Sequence, residues 1–237
     1  MIFVSYQWQR DCRASCVKKL LLSLSLLLAV WAAWKVWGSR VQFVLGGALV
    51  NAGYRLQDPL TPYDLAHPEA SPFEIWEEFM GHNRMAASDR SRWPRTARHP
   101  VVAWVACMDG RLDSNEIAGD TRRYYYVVRL AGSVLSVKEE EMLELAVSNG
   151  VKVVVFTTHS DCAAEKAAQD PARRAQYPSL SAAVDEREAR FQEFIGRPRI
   201  REKVTAGDLL VKWMDLDTQT ERVVPHRAAA FPARPAR

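Results

Sequence analysis

Two short runs hold the residues able to do chemistry. Ala106-Cys-Met-Asp-Gly-Arg-Leu112 carries Cys107, Asp109 and Arg111, and His159-Ser-Asp-Cys162 carries an imidazole and a second thiol. Two thiols and an imidazole form a soft-to-borderline donor set that suits Zn²⁺ and fills three of its four tetrahedral positions. A fourth protein ligand would make such a site structural, whereas water in that position would leave it catalytic.

The elements around these runs say how they could meet. Cys107 ends the apolar run Val101-Val-Ala-Trp-Val-Ala106, and His159 follows a second one, Val151-Lys-Val-Val-Val-Phe-Thr157. Both read as buried strands. Ligands at the carboxyl ends of neighbouring parallel strands converge in the crevice where α/β sheets bind small molecules. Ser71-Pro72-Phe73-Glu74 is a capping box with proline at the first helical position. Phe73, Trp76, Phe79 and Met80 follow at helical spacing, which predicts a packing face. Tyr124–Arg129 reads as β, and Ser136-Val-Lys-Glu139 caps a helix closed by Gly150. A helix is expected from Cys162 through Ala168 and another over Ser181–Ile195, with Val184, Phe191 and Phe194 inward. A late strand is expected over Leu209–Leu216, and a Pro/Ala/Arg-rich tail over 222–237. Strand and helix alternate, so the fold class is α/β with a mostly parallel central sheet flanked by helices.

The 237 residues carry a net charge of +4, unevenly spread. Residues 1–40 hold Arg10, Arg13, Lys18, Lys19, Lys35 and Arg40 against Asp11 alone, a net +5, which leaves −1 for the rest. No basic stripe with interleaved aromatics is present, so nucleic-acid binding is not indicated. Four cysteines in this length do not make a disulfide framework, and Cys12 and Cys16 are left as free thiols or acylation sites near a membrane. Leu20–Trp34 is fifteen residues without a charge. That is short of the ~20 that span a bilayer, but a snorkelling Lys35 would extend it to Trp37. Trp31, Trp34 and Trp37 suit an interfacial belt. The reading is an uncleaved transmembrane anchor with a cytoplasmic N-terminus and an extracytoplasmic soluble domain. A cleaved signal peptide is the rival, against which the bulky tryptophans count. The expected organisation is a basic N-terminus and anchor over 1–40, an interfacial segment and proline-punctuated linker over 41–72, a folded domain over 73–224 and a flexible tail over 225–237.

In order and on strand ends, Cys107-Met-Asp109-Gly-Arg111 and His159-Ser-Asp-Cys162 resemble the two signatures of the β-class carbonic anhydrases, Cys-x-Asp-x-Arg and His-x-x-Cys. Gly81-His-Asn83-Arg84, Tyr126-Val-Val-Arg129-Leu-Ala-Gly132 and Trp213-Met-Asp215-Leu-Asp-Thr218 resemble further stretches of that family, so the likeness covers roughly 73–224. The resemblance implies zinc held by Cys107, His159 and Cys162, and reversible hydration of carbon dioxide to bicarbonate by zinc-bound hydroxide. It also implies a homodimer or higher homo-oligomer. Asp109 would accept a hydrogen bond from the zinc water or close on the metal in a resting state, and Arg111 would hold it off bidentately. Three positions depart from the family pattern: Ala163 stands where glycine is usual, Leu130 where asparagine is, and Gly110 where a small polar residue is. None removes a ligand.

Other readings stay open at this point. The same site could hydrolyse a related linear substrate such as COS or CS₂. Asp109 as a permanent fourth ligand would make the zinc structural. Cys107-x-x-Gly110-Arg111 as a sulfur-transfer or phosphatase-like loop is disfavoured, because arginine follows too soon to leave a cradle of backbone amides. His67, His82, His99 and His226 read as surface or capping residues that could shuttle protons, and Asp161 as an orienting group or a solvated loop residue.

Overall fold

The computed structural model describes residues 2–57, 70–92 and 98–226, with side chains described from Leu22 onward. The linker prolines Pro59, Pro62 and Pro68, His67, the thiols of Cys12 and Cys16, and the tail beyond His226 lie outside the described residues. Two compact units are present, Met1–Gly81 and His82–Arg237.

In the first unit, helix α1 runs unbroken over Ile2–Gln57. The expected break between the anchor and Val41–Val50 is absent. Gly46 and Gly47 cost about 1 kcal/mol each in a helix interior, yet neither removes a hydrogen bond, and the first proline comes only at Pro59. Leu22–Gln57 is long and apolar enough to cross a membrane. At 1.5 Å per residue it is roughly 54 Å long, well beyond a hydrocarbon core of about 30 Å. Trp34 lies over Gly38, where an added Cβ would meet its ring at 3.0 Å. Lys35 lies over the Trp31 ring, 5.6 Å from its centroid.

Helix α2, Pro72–Arg92, begins at the expected capping box: the Ser71 N–H donates to Glu74 Oε2 at 2.8 Å and the Glu74 N–H to Ser71 Oγ at 3.3 Å. The helix buries none of its residues. Trp76 and Phe79 stack on each other at 5.6 Å but stay half exposed, as Phe73 stays exposed. The predicted packing face is therefore uncovered, because helical spacing fixes which residues share a face and not what covers it.

The second unit is built on a five-stranded sheet: β1 Val102–Cys107, β2 Tyr125–Leu130, β3 Val153–His159, β4 Leu210–Leu216 and β5 Val223–Pro225, in the order β2-β1-β3-β4-β5. The first four are parallel and β5 pairs antiparallel with β4. Val223–Pro225 was expected in the tail; a three-residue edge strand carries too little pattern to stand out, and its proline is tolerated at an edge. Helices follow in chain order: α3 Ser114–Ala118, α4 Val137–Ser148, α5 Ala163–Gln169, α6 Pro171–Gln176, α7 Pro178–Gly196 and α8 Pro198–Ala206. The main core joins Val105, Val154, Phe156 and Trp213 of the sheet to Leu143 of α4, Phe191 and Phe194 of α7, and Ile200 of α8. Phe191 meets Phe156 and Trp213 edge-on, at 4.7 and 4.8 Å.

From β1 the chain passes to β2 on one side and reaches β3 on the other. The crevice beyond the ends of β1 and β3 is thus the point where strand order reverses, and a smaller core of Cys107, Leu112, Cys162, Ala164 and Leu216 sits there.

Candidate metal centre

Cys107 is the last residue of β1, His159 the last of β3, and Cys162 the N-cap of α5. All three are buried, and their ligand atoms lie within 4.8 Å of one another. The two sulfurs are 4.0 Å apart. Two thiolates on one tetrahedral Zn²⁺, each at about 2.3 Å, would stand about 3.8 Å apart. His159 Nδ1 lies 2.9 Å from the Ser160 carbonyl, which fixes the proton on that nitrogen. His159 Nε2 is buried with no hydrogen-bond partner. A buried ring nitrogen without a protein partner, facing two thiols, fits a cation-binding site better than a packed core.

The electrostatics agree. The Cys107 thiol is pulled well down, first by the Cys162 thiol beside it and also by His159 and the backbone amides of Asp109 and Gly132, against the cost of burial. Cys162 is pushed up by Cys107 and by burial. His159 is raised, chiefly by its contact with Cys107. Two thiols this close share a proton, and a cation between them removes the conflict by letting both ionise. The Gly132 amide reaches Cys107 from a left-handed turn (φ 62°), and a Cβ there would stand 3.1 Å from Val184 Cγ2, so both backbone and space favour glycine.

Asp109 and Arg111 form the expected fork. The Arg111 N–H and Nε each donate to Asp109 Oδ1 at 3.0 Å, and Nη2 donates to Oδ2 at 2.8 Å. Arg111 holds the Asp109 carboxyl well below the usual carboxylate range. Both Asp109 oxygens are engaged with Arg111, and the metal-competent cluster is Cys107, His159 and Cys162 without it.

Residues beyond the expected set organise the site. Arg129, at the end of β2, donates through Nε to the Cys107 carbonyl at 2.9 Å, through Nη1 to the Leu112 carbonyl at 2.6 Å and through Nη2 to the Asp109 carbonyl. One guanidinium thus gathers three carbonyls of the loop that bears Cys107 and Asp109. An arginine ending the apolar run Tyr125–Val128, paired in register with Ala106, was the available signal. His226 stacks on Trp213 at 4.5 Å and lies 2.7 Å from Asp215 Oδ1, which also accepts from Thr158. It is a packed residue of the β4 edge. His82 is half-buried on α2 and His99 is exposed before β1.

The three departures from the family pattern leave the cluster intact. Gly110 has open space around it, Ala163 is exposed at the start of α5, and Leu130 turns toward the main core.

Comparison with known proteins gives the same direction. A family model described as carbonic anhydrase matches residues 102–221, half of the chain. No curated protein sequence matches. Among solved structures, the β-carbonic anhydrase CafA of Aspergillus fumigatus aligns with a TM-score of 0.51 at 19% identity, covering 66% of this chain and 92% of its own, and shares the fold. A tetrameric β-carbonic anhydrase of Sordaria macrospora aligns at 20% identity over 65% of this chain and 97% of its own, with a TM-score of 0.49. The carbonic anhydrase of Streptococcus mutans aligns at 21% identity over 63% and 96%, also with a TM-score of 0.49. The sheet, the thiol–imidazole cluster at its switch point and the family match over β1 to β4 agree: the chain belongs to the β-carbonic anhydrase family.

Proposed function

We propose that this protein hydrates carbon dioxide reversibly to bicarbonate, with zinc held by Cys107, His159 and Cys162. The observation that carries the proposal is the bare, buried His159 Nε2 facing two thiols at zinc-ligand spacing. Zinc bound there would supply a Lewis acid that brings the pKa of a water toward neutrality. The protein's own part is to hold and orient. Asp109, fixed as an ion by Arg111, accepts a hydrogen bond from the attacking water and so aims its lone pair at the substrate carbon. With its pKa so far depressed it orients without taking up the proton, which must leave to buffer or solvent. Engagement of both Asp109 oxygens by Arg111 favours this over a structural zinc with Asp109 as fourth ligand.

The same proposal places α1 as a membrane anchor, with the four basic residues before Leu20 on the cytoplasmic side and the catalytic unit across the bilayer. It also takes the uncovered aromatic face of α2 as a contact between copies of the chain, since Trp76 and Phe79 are too large to leave in water together without cause. The decisive test is stopped-flow CO₂ hydration with metal analysis on one sample. One zinc per chain and chelator-sensitive hydration support the proposal; a zinc-loaded protein without hydration returns the site to a structural role.

A further inference from the structure

The Arg111 guanidinium has more work than its fork on Asp109. Its Nη1 donates to Asp161 Oδ2 at 2.9 Å, and its Nη2 also donates to the Asp161 carbonyl at 3.1 Å. Asp161 lies between His159 and Cys162, on the loop after β3, whereas Arg111 lies on the loop after β1. The Arg111–Asp161 contacts join one ligand-bearing segment to the other, beside the contacts of Cys107 with Cys162 and His159.

We infer that Asp161 is a positioning residue, which grips Arg111 from the far loop and thereby holds the Arg111 fork on Asp109. The inference rests on the proposed roles of Asp109 and Arg111 and goes beyond them. Three features support it. The fork on Asp109 uses Nε and Nη2 and leaves the Nη1 donors of the planar guanidinium over, and Asp161 Oδ2 accepts from that Nη1. Asp161 adopts a left-handed backbone (φ 62°), a conformation uncommon outside glycine, and it presents its carbonyl and its carboxylate to the same guanidinium. Its second oxygen, Oδ1, is taken by Lys166 on α5, so the carboxylate is held from behind as it reaches forward. Asp161 is itself half exposed, yet its backbone, its carbonyl and both carboxylate oxygens are all committed. The grip matters because Asp109 can face either Arg111 or the metal position, and a looser Arg111 releases it toward the metal.

Asp161→Asn tests this cleanly, because asparagine keeps the shape and tolerates the left-handed backbone while losing the charge. The full chain is loaded in parallel with zinc and with Co²⁺, whose visible spectrum reports whether a carboxylate has joined the ligands. The expected result is a variant with full metal content, kcat lowered about tenfold with KM little changed, and a cobalt spectrum moved toward that of Arg111→Ala. Asp161→Asn added to Arg111→Ala should cost nothing further, since both act through one contact. Lys166→Met, which removes only the support from behind, should move the same readouts in the same direction by less. An Asp161→Asn protein with wild-type kcat and cobalt spectrum overturns the inference, as does a loss that multiplies with that of Arg111→Ala. The parent proposal fails differently: a wild-type chain that binds neither metal ends both, while one that binds cobalt but hydrates no CO₂ ends the enzymatic proposal and leaves the spectral test of Asp161 to be read.

Discussion

Val154 and Phe156 in β3 are 0% and 4% exposed, whereas Leu22, Leu27 and Trp31 in α1 are 69%, 66% and 60% exposed, although the two segments are drawn from the same kinds of side chain. The difference follows from how each element satisfies its backbone. A strand must find its hydrogen-bond partners in neighbouring strands, so an apolar strand between two others is buried on both faces. β1 and β3 pair with each other only as far as Val105 and Phe156, and Cys107 and His159 stand just beyond, each still paired with its outer neighbour. A helix satisfies its own backbone and can be apolar on every side, provided something other than water surrounds it. In one region apolar residues build a rigid frame that aims three donors at a point; in the other they offer a surface. Each region should therefore fail without disturbing the other.

The largest expected effect is all or none. With residues 1–54 deleted, the chain should move from the membrane fraction, where the full protein should resist high-salt and alkaline washes, to the soluble fraction. Apolar burial is not screened by salt. Zinc content of the truncated protein should stay at one per chain, since every proposed ligand lies beyond position 100. Loss of zinc on truncation would break the separation of the two regions. A reporter fused after Arg237 should sit opposite the cytoplasm; a cytoplasmic signal would reverse the orientation alone.

Next is the ligand set itself. Cys162→Ala should lower zinc affinity by more than about 100-fold, because removal of a ligand exceeds the 10–100-fold usual for loss of a ligand's hydrogen-bond partner, and should lower thermal stability with it. Leu27→Ala in α1 should leave both unchanged. Measurement by competition with a chromogenic chelator separates the two. A Cys162→Ala protein with full zinc would remove the assignment.

Arg129 should give an intermediate effect. Arg129→Met takes one charged donor group from the carbonyls of Cys107, Asp109 and Leu112. Charge-assisted hydrogen bonds of this kind are worth about 1.5–3 kcal/mol each when desolvated, and the partial exposure of this guanidinium puts the total loss at about 1–3 kcal/mol. Urea unfolding of the zinc-free protein reads this directly. Zinc affinity should fall about tenfold, as for other losses around a metal ligand. Arg129→Lys should recover little, because an ammonium cannot reach three carbonyls in a fork. Unchanged unfolding in Arg129→Met would mean that the loop is held by its strand-end contacts alone.

Much of the frame was legible because it is periodic or chemically marked. The apolar runs gave β1, β3 and β4, the Ser71–Glu74 and Ser136–Glu139 boxes gave the starts of α2 and α4, and cysteine and histidine at strand ends gave the cluster. What escaped was set by contacts that leave no periodic trace. Arg129 binds main-chain carbonyls, which every residue has, so no partner residue type pointed to it. Asp161 was legible only as an orienting group or a solvated loop residue, because its left-handed turn and its Arg111 partner fifty positions away leave no local pattern to choose between them. α6 and α8 each begin with a proline after a turn, which reads equally well as loop. The face of α2 was visible as a stripe, but a stripe does not name its cover.

The smallest expected effect is a matter of pH, and it sharpens the contrast between the two regions. Asp109 has a folded-state pKa depressed by Arg111, while in the unfolded chain it titrates near the ordinary aspartate value of about 3.9. Below that value the unfolded state binds more protons than the native one, so the stabilisation present at neutral pH is lost progressively as pH falls. In zinc-free protein, where acid cannot act by stripping the metal, the wild type should lose stability more steeply below about pH 4 than Asp109→Asn, which lacks the group. The other carboxylates titrate alike in both proteins, so the difference in slope isolates Asp109. The gap should be modest, since the Arg111 side chain is half exposed and water screens the pair. Membrane retention should show no such slope. The only formal charges between Leu22 and Tyr54 are Lys35 and Arg40, with no carboxylate among them. Parallel slopes in wild type and Asp109→Asn would mean that Arg111 holds Asp109 in place without stabilising the fold, and that the site's charge pair is as indifferent to acid as the helix.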